Sequence, residues 1–486
     1  MKKIVVALLS ALCIMLAVAL VRTTHFTSRQ MLVPPAKEIV LERDKIVGRL
    51  SEAIQYQTVS DQALSPSAVA EFKRFHAFLA KSFPLVHARL TKETVGAGSL
   101  LYIWSGRDKT LKPALLMGHI DIVPVDANTE KNWTYPPFSG RIAEGYVWGR
   151  GTMDDKVNVL AILEAAEFLL AHGFNPRRTF YFAFGHDEEI GGRNGAFQIA
   201  ALLRRRNIEL EYVLDEGGNI LDGIIPDARP PVALIGIAEK GYVNLELTVE
   251  MPGGHASTPP DHTAIGVLSS AIAKLEDSPF PARLSEPIRQ MFAFIGPEMP
   301  WPKQFVLANL WLFGPLLERQ LAQSPLTNAA IRTTQAATLF HSGVKENVLP
   351  ARAQAIVNMR ILPGDTISGV IDHARRVIAS DQVKVSPLEI RVEPSAISDS
   401  ESPSFQRLHR TIKEVAPEVL VAPSLLVAAT DSHHYAPLSK NIFRFLPITI
   451  TGDDARRFHG IDERISVKDY ERCVRFLVQL MRNSDQ

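Results

Sequence analysis

Cysteine is nearly missing from this chain: 486 residues contain two, Cys13 and Cys473. That excludes a disulfide framework and a thiolate metal cage, so any metal must be held by His, Asp and Glu. An excess of charge of one sign is missing too. Lys and Arg total 53 against 52 Asp and Glu, a formal net charge of +1. The one short basic run, Arg204-Arg205-Arg206, follows an apolar helical stretch, where solvation of a helix end accounts for it. Without a basic field, nucleic acid is not an expected partner. Internal repeats and low-complexity tracts are absent as well. What remains is 46% hydrophobic, enough over this length to bury a large core in two domains rather than one.

The longest hydrophobic run is at the N-terminus. Met1-Lys2-Lys3 precedes a stretch of about 18 largely apolar residues, Ile4 to Val21, which reads as a targeting segment. Ala17-Val18-Ala19 offers a cleavage site, yet the run is also long enough to stay as an anchor. Leu12 before Cys13 fits a lipoprotein box poorly. Lys2 and Lys3 would hold the N-terminus on the cytoplasmic side. The expectation is export, with the protein membrane-anchored or periplasmic/extracellular. Thr23 to Lys37, with Pro34-Pro35, suits a tether, so residues 1–36 are set apart from the fold.

Beyond the tether, Glu38–Gln55 and Ser67–Phe83 have helical periodicity. Short apolar runs then alternate with helices: strands at Leu100–Trp104, Ala114–Met117, Thr179–Phe184 and Tyr212–Leu214, helices at Val157–Leu170 and Gly195–Arg204. That alternation predicts an α/β domain with a central mixed sheet flanked by helices. From Ile237 to Pro363 the texture changes. Gly241–Val249 and Gln354–Arg360 alternate with period two, the mark of half-buried strands in a smaller α+β domain. A helix, strands and a final helix at Val467–Met481, with Ser466 as N-cap, resume the first pattern. The larger domain is therefore expected at 37–238 and 364–486, with the smaller one inserted at 239–363. Between the alternating strands, Pro279–Leu316 is rich in proline and aromatics. Phe292, Phe294, Trp301, Phe305, Trp311 and Phe313 read as core rather than as a cofactor box.

Chemistry-bearing side chains collect at the ends of these elements. Leu115-Leu116-Met117-Gly118 runs into His119-Ile120-Asp121. Alternation puts His119 and Asp121 on one side, so Asp121 can orient the imidazole. The turn Gly149-Arg150-Gly151-Thr152-Met153 delivers Asp154 and Asp155 to a helix start, where either can cap. Strand Phe180–Phe184 ends in Gly185-His186-Asp187-Glu188-Glu189, and Tyr212–Leu214 ends in Asp215-Glu216-Gly217-Gly218. Phe458-His459-Gly460 follows the Phe443–Ile450 strand and a charged loop. Each has a bland reading alone: a structural histidine, a helix cap, solvated acids. Together they place carboxylates or a histidine at the carboxyl ends of several strands, where α/β sheets bind ligands. Two histidines and three carboxylates without cysteine suit paired Zn²⁺ or a similar divalent metal. A spare glutamate beside them is what metal-assisted hydrolysis needs as a general base. On chemistry alone, Asp154 and Asp155 are both able to bridge two ions, and Asp215 and Glu216 are equally good ligands.

With Gly253-Gly254-His255-Ala256-Ser257 and Lys345-Glu346-Asn347-Val348-Leu349-Pro350 added, seven motifs stand in one order. In these the sequence resembles the co-catalytic zinc peptidase and amidohydrolase family that includes carboxypeptidase S, aminoacylase and glutamate carboxypeptidase. The resemblance is strongest to the branch of carboxypeptidase S and the N-fatty-acyl-amino-acid hydrolases. It makes the larger domain catalytic and the smaller one a lid that binds substrate. It implies two zinc ions, one held by His119, Asp154 and Asp215, the other by Asp154, Glu189 and His459. Asp154 would be the shared ligand, Asp121 would orient His119, and Glu188 would be the general base acting on a metal-bridging hydroxide. In the lid, His255 would stabilise the oxyanion. Asn347 and Arg360 would bind the substrate's free carboxylate, a task suited to a guanidinium fork. Thr430 and Asp431 lie in what resembles a substrate-pocket loop.

The implied activity is that of a carboxypeptidase cleaving the amide bond next to a C-terminal free carboxylate in short peptides. The alternative within the class is an N-(fatty-)acyl-amino-acid amidohydrolase. From another class, the alternative is a non-catalytic membrane-tethered binding protein, which a missing base or ligand would have favoured. The resemblance admits a homodimer, with His255 serving its own site or a partner's, and membrane contact through the N-terminal segment if it is uncleaved.

Overall fold

The computed structural model describes residues 1–61 and 65–485. At its centre is a ten-stranded mixed sheet. Ala114–His119 runs parallel to Phe180–Gly185 on one side and to Tyr212–Asp215 on the other. Ser99–Trp104 adds antiparallel outside Phe180–Gly185. The three parallel strands are buried at every position, as strands covered on both faces must be. Side-chain alternation divides them between two layers. Leu116, Phe180, Phe182 and Phe184 face the core shared with helices Lys156–Ala171 and Val467–Asn483. Leu115, Met117, Tyr181 and Ala183 face helix Ala196–Arg205. Ser466 caps the last helix, accepting a hydrogen bond from the Asp469 N–H at 3.0 Å. Because these strands are parallel, the carboxyl ends bearing His119, Gly185 and Asp215 emerge along one edge.

The smaller domain is built on a four-stranded antiparallel sheet in the order Thr334–Ser342, Arg352–Ile361, Gly241–Glu250, Lys384–Val392. Its alternating inward residues, among them Val243, Leu245, Leu247, Ala355 and Val357, pack on helices Ala264–Asp277 and Ile367–Ile378. This moves one expected boundary. The lid does not end at 363. Val370, Ala374, Ile378, Val383 and Val385 complete its core, and Lys384–Val392 pairs with Gly241–Glu250. A helix followed by a strand reads alike in either layer, so the pattern alone assigned it to the wrong one. The proline- and aromatic-rich section is not lid core either. Helix Glu286–Ile295 sends Ile288, Phe292 and Phe294 into the main core, whereas Trp301 and Trp311 stay 59% and 50% exposed. The N-terminal helix, Lys2–Thr24, is long and apolar enough to cross a membrane by length and composition.

Candidate metal centre

Three strand ends and two loops meet at the carboxyl edge of the sheet. Strand Ala114–His119 delivers His119, and Gly118 just before it lies against Asp155. A Cβ at Gly118 would meet Asp155 Oδ2 at 2.5 Å, so the strand narrows to glycine there. A small antiparallel pair, Tyr146–Trp148 with Arg464–Ser466, then brings the loop at 149–155 beside the loop at 459–463. Residues more than 300 positions apart in sequence thereby share a site, which no local pattern reveals.

Asp154 is the junction. Its Oδ1 lies 2.9 Å from His119 Nε2 and its Oδ2 3.0 Å from His459 Nε2. Glu216 Oε1 sits 3.4 Å from His119 Nε2, and Glu189 Oε2 sits 3.3 Å from His459 Nε2. His119, Asp154 and Glu216 form one group of ligand-type atoms within 4.8 Å of one another, and Asp154, Glu189 and His459 form a second. Two adjoining sites thus share one carboxylate, each with an imidazole and two carboxylates. This donor set fits a pair of divalent cations such as Zn²⁺. Glu189 Oε1 adds to the fit, because it is buried with no hydrogen-bond partner among the described residues. A carboxylate oxygen left so is costly unless a cation takes it up.

The electrostatics are those of a crowded acidic site. Burial disfavours charge on His119, but hydrogen bonds with Asp121, Asp154 and Glu216 outweigh it and raise its pKa. Hydrogen bonds with Asp154 and Glu189 raise His459 to about 10. Burial, then repulsion from Asp154, lifts Glu216 to about 8. Burial also raises Glu188 and Glu189.

The resemblance implies Asp215 as the ligand beside His119 and Asp154, whereas the carboxylate grouped with those two here is that of Glu216. Asp215 is the last strand residue, and its buried Oδ2 accepts from the Ser432 N–H at 3.1 Å. Glu216, the next residue, reaches His119 Nε2 at 3.4 Å. The choice depends on which residue ends the strand, and that was invisible in Asp215-Glu216-Gly217-Gly218.

Asp121 engages three partners at once. Its Oδ1 lies 3.3 Å from His119 Nδ1, and that nitrogen is 3.0 Å from the Asp121 carbonyl oxygen. A proton on Nδ1 donated there leaves the Nε2 lone pair for a cation. The two carboxylate oxygens of Asp121 also accept from the N–H groups of Glu188 and Glu189 at 3.2 and 3.1 Å. The Glu188 carboxylate hydrogen-bonds to no described residue. Asp155 occupies the N-cap position of Lys156–Ala171 but its side chain caps nothing. It accepts instead from the His119 N–H at 3.2 Å. The peptide bond between Asp154 and Asp155 is cis.

The other expected residues are not members of the two metal-type groups. His255 is exposed in the lid, its Nδ1 2.7 Å from Ser257 Oγ. The short pair Gly254–His255 with Val348–Leu349 sets it beside Asn347, whose carbonyl accepts from the Ala256 N–H at 3.1 Å. Arg360 is half-buried, stacked 4.7 Å over the Tyr242 ring, and hydrogen-bonds to no described residue. Thr430 and Asp431 are 4% and 3% exposed. Thr430 donates to Glu239 Oε2 from its N–H at 3.0 Å. Asp431 fills the space beneath Gly192, where a Cβ would meet its Oδ1 at 1.8 Å.

One pair was passed over in the sequence. Glu463 is fully buried, and Arg150 is 3% exposed against it. The available signal was an arginine between two glycines in a turn whose following residues are buried: a guanidinium there needs a carboxylate partner.

The sequence profile of Peptidase family M20/M25/M40 matches residues 115–483. Among characterised sequences, the chain is 43% identical over 485 residues to the probable carboxypeptidase S-like 2 of Dictyostelium discoideum, spanning 97% of this chain and 92% of that one. It is 42% identical over 449 residues to the N-fatty-acyl-amino acid synthase/hydrolase PM20D1.1 of Danio rerio, spanning 91% and 86%. Among solved structures, the M20 family metallo-carboxypeptidase Sso-CP2 from Sulfolobus solfataricus shares the fold, with a TM-score of 0.68 at 17% identity. The match covers 92% of this chain and 100% of that one.

Proposed function

The chain belongs to peptidase family M20/M25/M40, and from that membership we propose that it is a two-zinc carboxypeptidase cleaving the amide bond next to a free C-terminal carboxylate in short peptides. Membership makes it a metallopeptidase or amidohydrolase acting on peptide or N-acyl-amino-acid amide bonds. The observation that carries the finer reading is Asp154, whose two oxygens each face a different histidine at 2.9 and 3.0 Å.

In this reading His119, Asp154 and Glu216 would hold one ion, and Asp154, Glu189 and His459 the other. Two such ions would supply Lewis acidity to the scissile carbonyl and lower the pKa of a water molecule brought to them. Glu188, set by its N–H on Asp121 and free at its carboxylate, takes a proton from the attacking water. It then returns that proton to the leaving nitrogen as the C–N bond breaks. Asp121 keeps His119 in the tautomer that offers Nε2. Arg360 and Asn347 would hold the substrate's carboxylate, and His255 would neutralise the developing oxyanion. Because His255 is exposed in the lid, that last role requires lid closure or delivery from a second subunit. The N-terminal helix supports export with the folded body outside the membrane.

A second reading, hydrolysis of N-fatty-acyl amino acids, is favoured by the Danio rerio relative and by the half-exposed apolar stretch at 301–321. Nothing favours a non-catalytic binding protein, since a complete set of ligand and base side chains is present. The test is turnover by metal-loaded protein of a dipeptide and of an N-oleoyl amino acid, compared with Glu188→Ala. Loss of at least a thousandfold in the variant is expected. Full activity in Glu188→Ala, or purified protein that holds no divalent metal and ignores a chelator, sinks the proposal. The ratio of the two substrates decides between the readings.

A further inference from the structure

The helices Trp301–Ala308 and Leu310–Leu321 are apolar yet scarcely buried. Across 301–321 only Ala308, Asn309 and Gly314 are buried. Trp301, Trp311 and Leu316 are exposed at 59%, 50% and 64%. Soluble surfaces seldom leave so much neighbouring apolar area in water, and such patches mark contact with a protein or a membrane.

What stands beside this pair identifies the occupant. The last turn of the N-terminal helix is pinned to it by Asn309, which is fully buried. The Asn309 amide nitrogen donates to the Ala19 carbonyl at 3.0 Å and to Thr23 Oγ1 at 3.2 Å, while its oxygen accepts from Trp311 Nε1 at 3.1 Å. Gln304 Nε2 donates to the Phe26 carbonyl at 3.3 Å. The Phe26 ring in turn lies against Gly296, where a Cβ would meet it at 2.6 Å. Ala19 and Thr23 are the buried residues of a helix that, apart from half-buried Met15, is otherwise exposed over its 23 residues. At a 1.5 Å rise per residue that helix is about 35 Å long, against about 30 Å of bilayer hydrocarbon. If its apolar length fills the bilayer, its last turn emerges at headgroup depth. Whatever is hydrogen-bonded to that turn lies there too.

We propose that the 301–321 helix pair is a bilayer-contact surface, resting in the membrane interface with Trp301, Trp311 and Leu316 among lipid headgroups and upper acyl chains. Indole rings favour that depth, with an apolar body and a polar N–H. The inference rests on the N-terminal helix remaining as an anchor. It adds that the enzyme does not swing on a flexible tether: a second element holds the body flat against the membrane. Substrates carrying an acyl chain would then meet an enzyme already seated at the surface where they partition.

The test uses the full chain in phosphatidylcholine nanodiscs, with brominated phosphatidylcholine as a short-range quencher of tryptophan fluorescence. The other three of the five tryptophans, Trp104, Trp133 and Trp148, are at most 9% exposed, so quenching reports Trp301 and Trp311. Brominated lipid is expected to remove a substantial part of the emission, and the double variant Trp301→Phe/Trp311→Phe to abolish that part while still co-purifying with the disc. Three results overturn the proposal. A mature chain lacking residues 1–24, identified by mass, removes the anchor on which it rests. An intact, disc-bound chain whose emission is unquenched leaves the anchor standing and refutes the contact surface. An unquenched chain that is dimeric in the disc assigns the face to a second copy instead.

Discussion

Arg150 and Glu463 meet at 2.6 Å with neither side chain more than 3% exposed, and between them they lace together the two loops that supply Asp154 and His459. The second oxygen of Glu463 accepts from the Gly151 and Met153 N–H groups at 2.9 and 2.8 Å. The second terminal nitrogen of Arg150 donates to the His459 and Gly460 carbonyls at 3.1 Å. His459 holds a left-handed φ of 57°, which a non-glycine residue adopts only when its surroundings impose it. The pair contributes little net stability, since desolvation offsets its attraction, but removing one partner is costly. Its use is geometric.

Glu463→Gln is therefore expected to weaken metal retention at the Asp154–Glu189–His459 group by about 10–100-fold, the usual effect of losing an outer-shell partner. Arg150→Lys, which keeps the charge but loses the fork that spans one carboxylate and two carbonyls, should do the same to a smaller degree. Competition with a chelator measures both. Unchanged affinity in the two variants would mean that the loops hold their shape unaided.

Glu216→Gln should release metal, because Glu216 faces His119 at 3.4 Å. Asp215→Asn should retain it, since an amide oxygen can still accept from the Ser432 N–H. Likewise Asp154→Asn should lose metal and activity together. Asp155→Asn should chiefly perturb the His119 backbone, to which Asp155 is hydrogen-bonded. Metal content by elemental analysis separates each pair. Metal loss in Asp215→Asn or Asp155→Asn with retention in its neighbour would reverse the assignment.

The layered fold and most of the centre were legible because period-two and helical patterns ended at acids and histidines. The Ala114–Met117 expectation was short only by the two residues that carry the strand to His119. What was not legible depends on side-chain direction or on distance in the chain. Asp215 against Glu216 turns on one residue at a strand end. Asp155 sits where a cap belongs, yet bonds across to another strand's end. Glu463 works through contacts with residues more than 300 positions away. The lid's helix Ile367–Ile378 and strand Lys384–Val392 have the same periodicities as the catalytic layer, so it takes the packing of Val370 and the pairing of Lys384–Val392 with Gly241–Glu250 to assign them.

Arg360 stacks on Tyr242 and carries an unengaged guanidinium, depressed in pKa first of all by burial. If it binds the substrate's carboxylate, Arg360→Ala should raise KM for carboxylate-bearing substrates by about 10–100-fold, the loss of a charge-assisted bond pair. The effect on substrates whose carboxylate is amidated should be small. Steady-state kinetics on both substrate types checks this. An equal loss on the amidated substrate would show that Arg360 supports the lid rather than the ligand.

His409 makes the stability of the fold depend on pH away from the metal centre. Its ring lies against Phe294 and Phe405. Nε2 accepts from the Met31 N–H at 3.4 Å, while Nδ1 is buried without a partner among the described residues. Burial, helped by repulsion from Lys413, lowers its pKa to about 4 from 6.5. Between those values the unfolded chain binds a proton that the folded chain refuses, so stability rises with pH across that window. The contribution is complete above about 6.5 and is lost as pH falls towards 4. At 1.36 kcal/mol per pKa unit, the full swing is about 3 kcal/mol. His409→Gln removes the titration while keeping a polar side chain. The difference in unfolding free energy between wild type and variant should therefore shift by about that amount between pH 7 and pH 4, with wild type losing ground on acidification. Denaturant titrations at a series of pH values measure it, and a difference that stays flat across the window would show that His409 is not buried neutral.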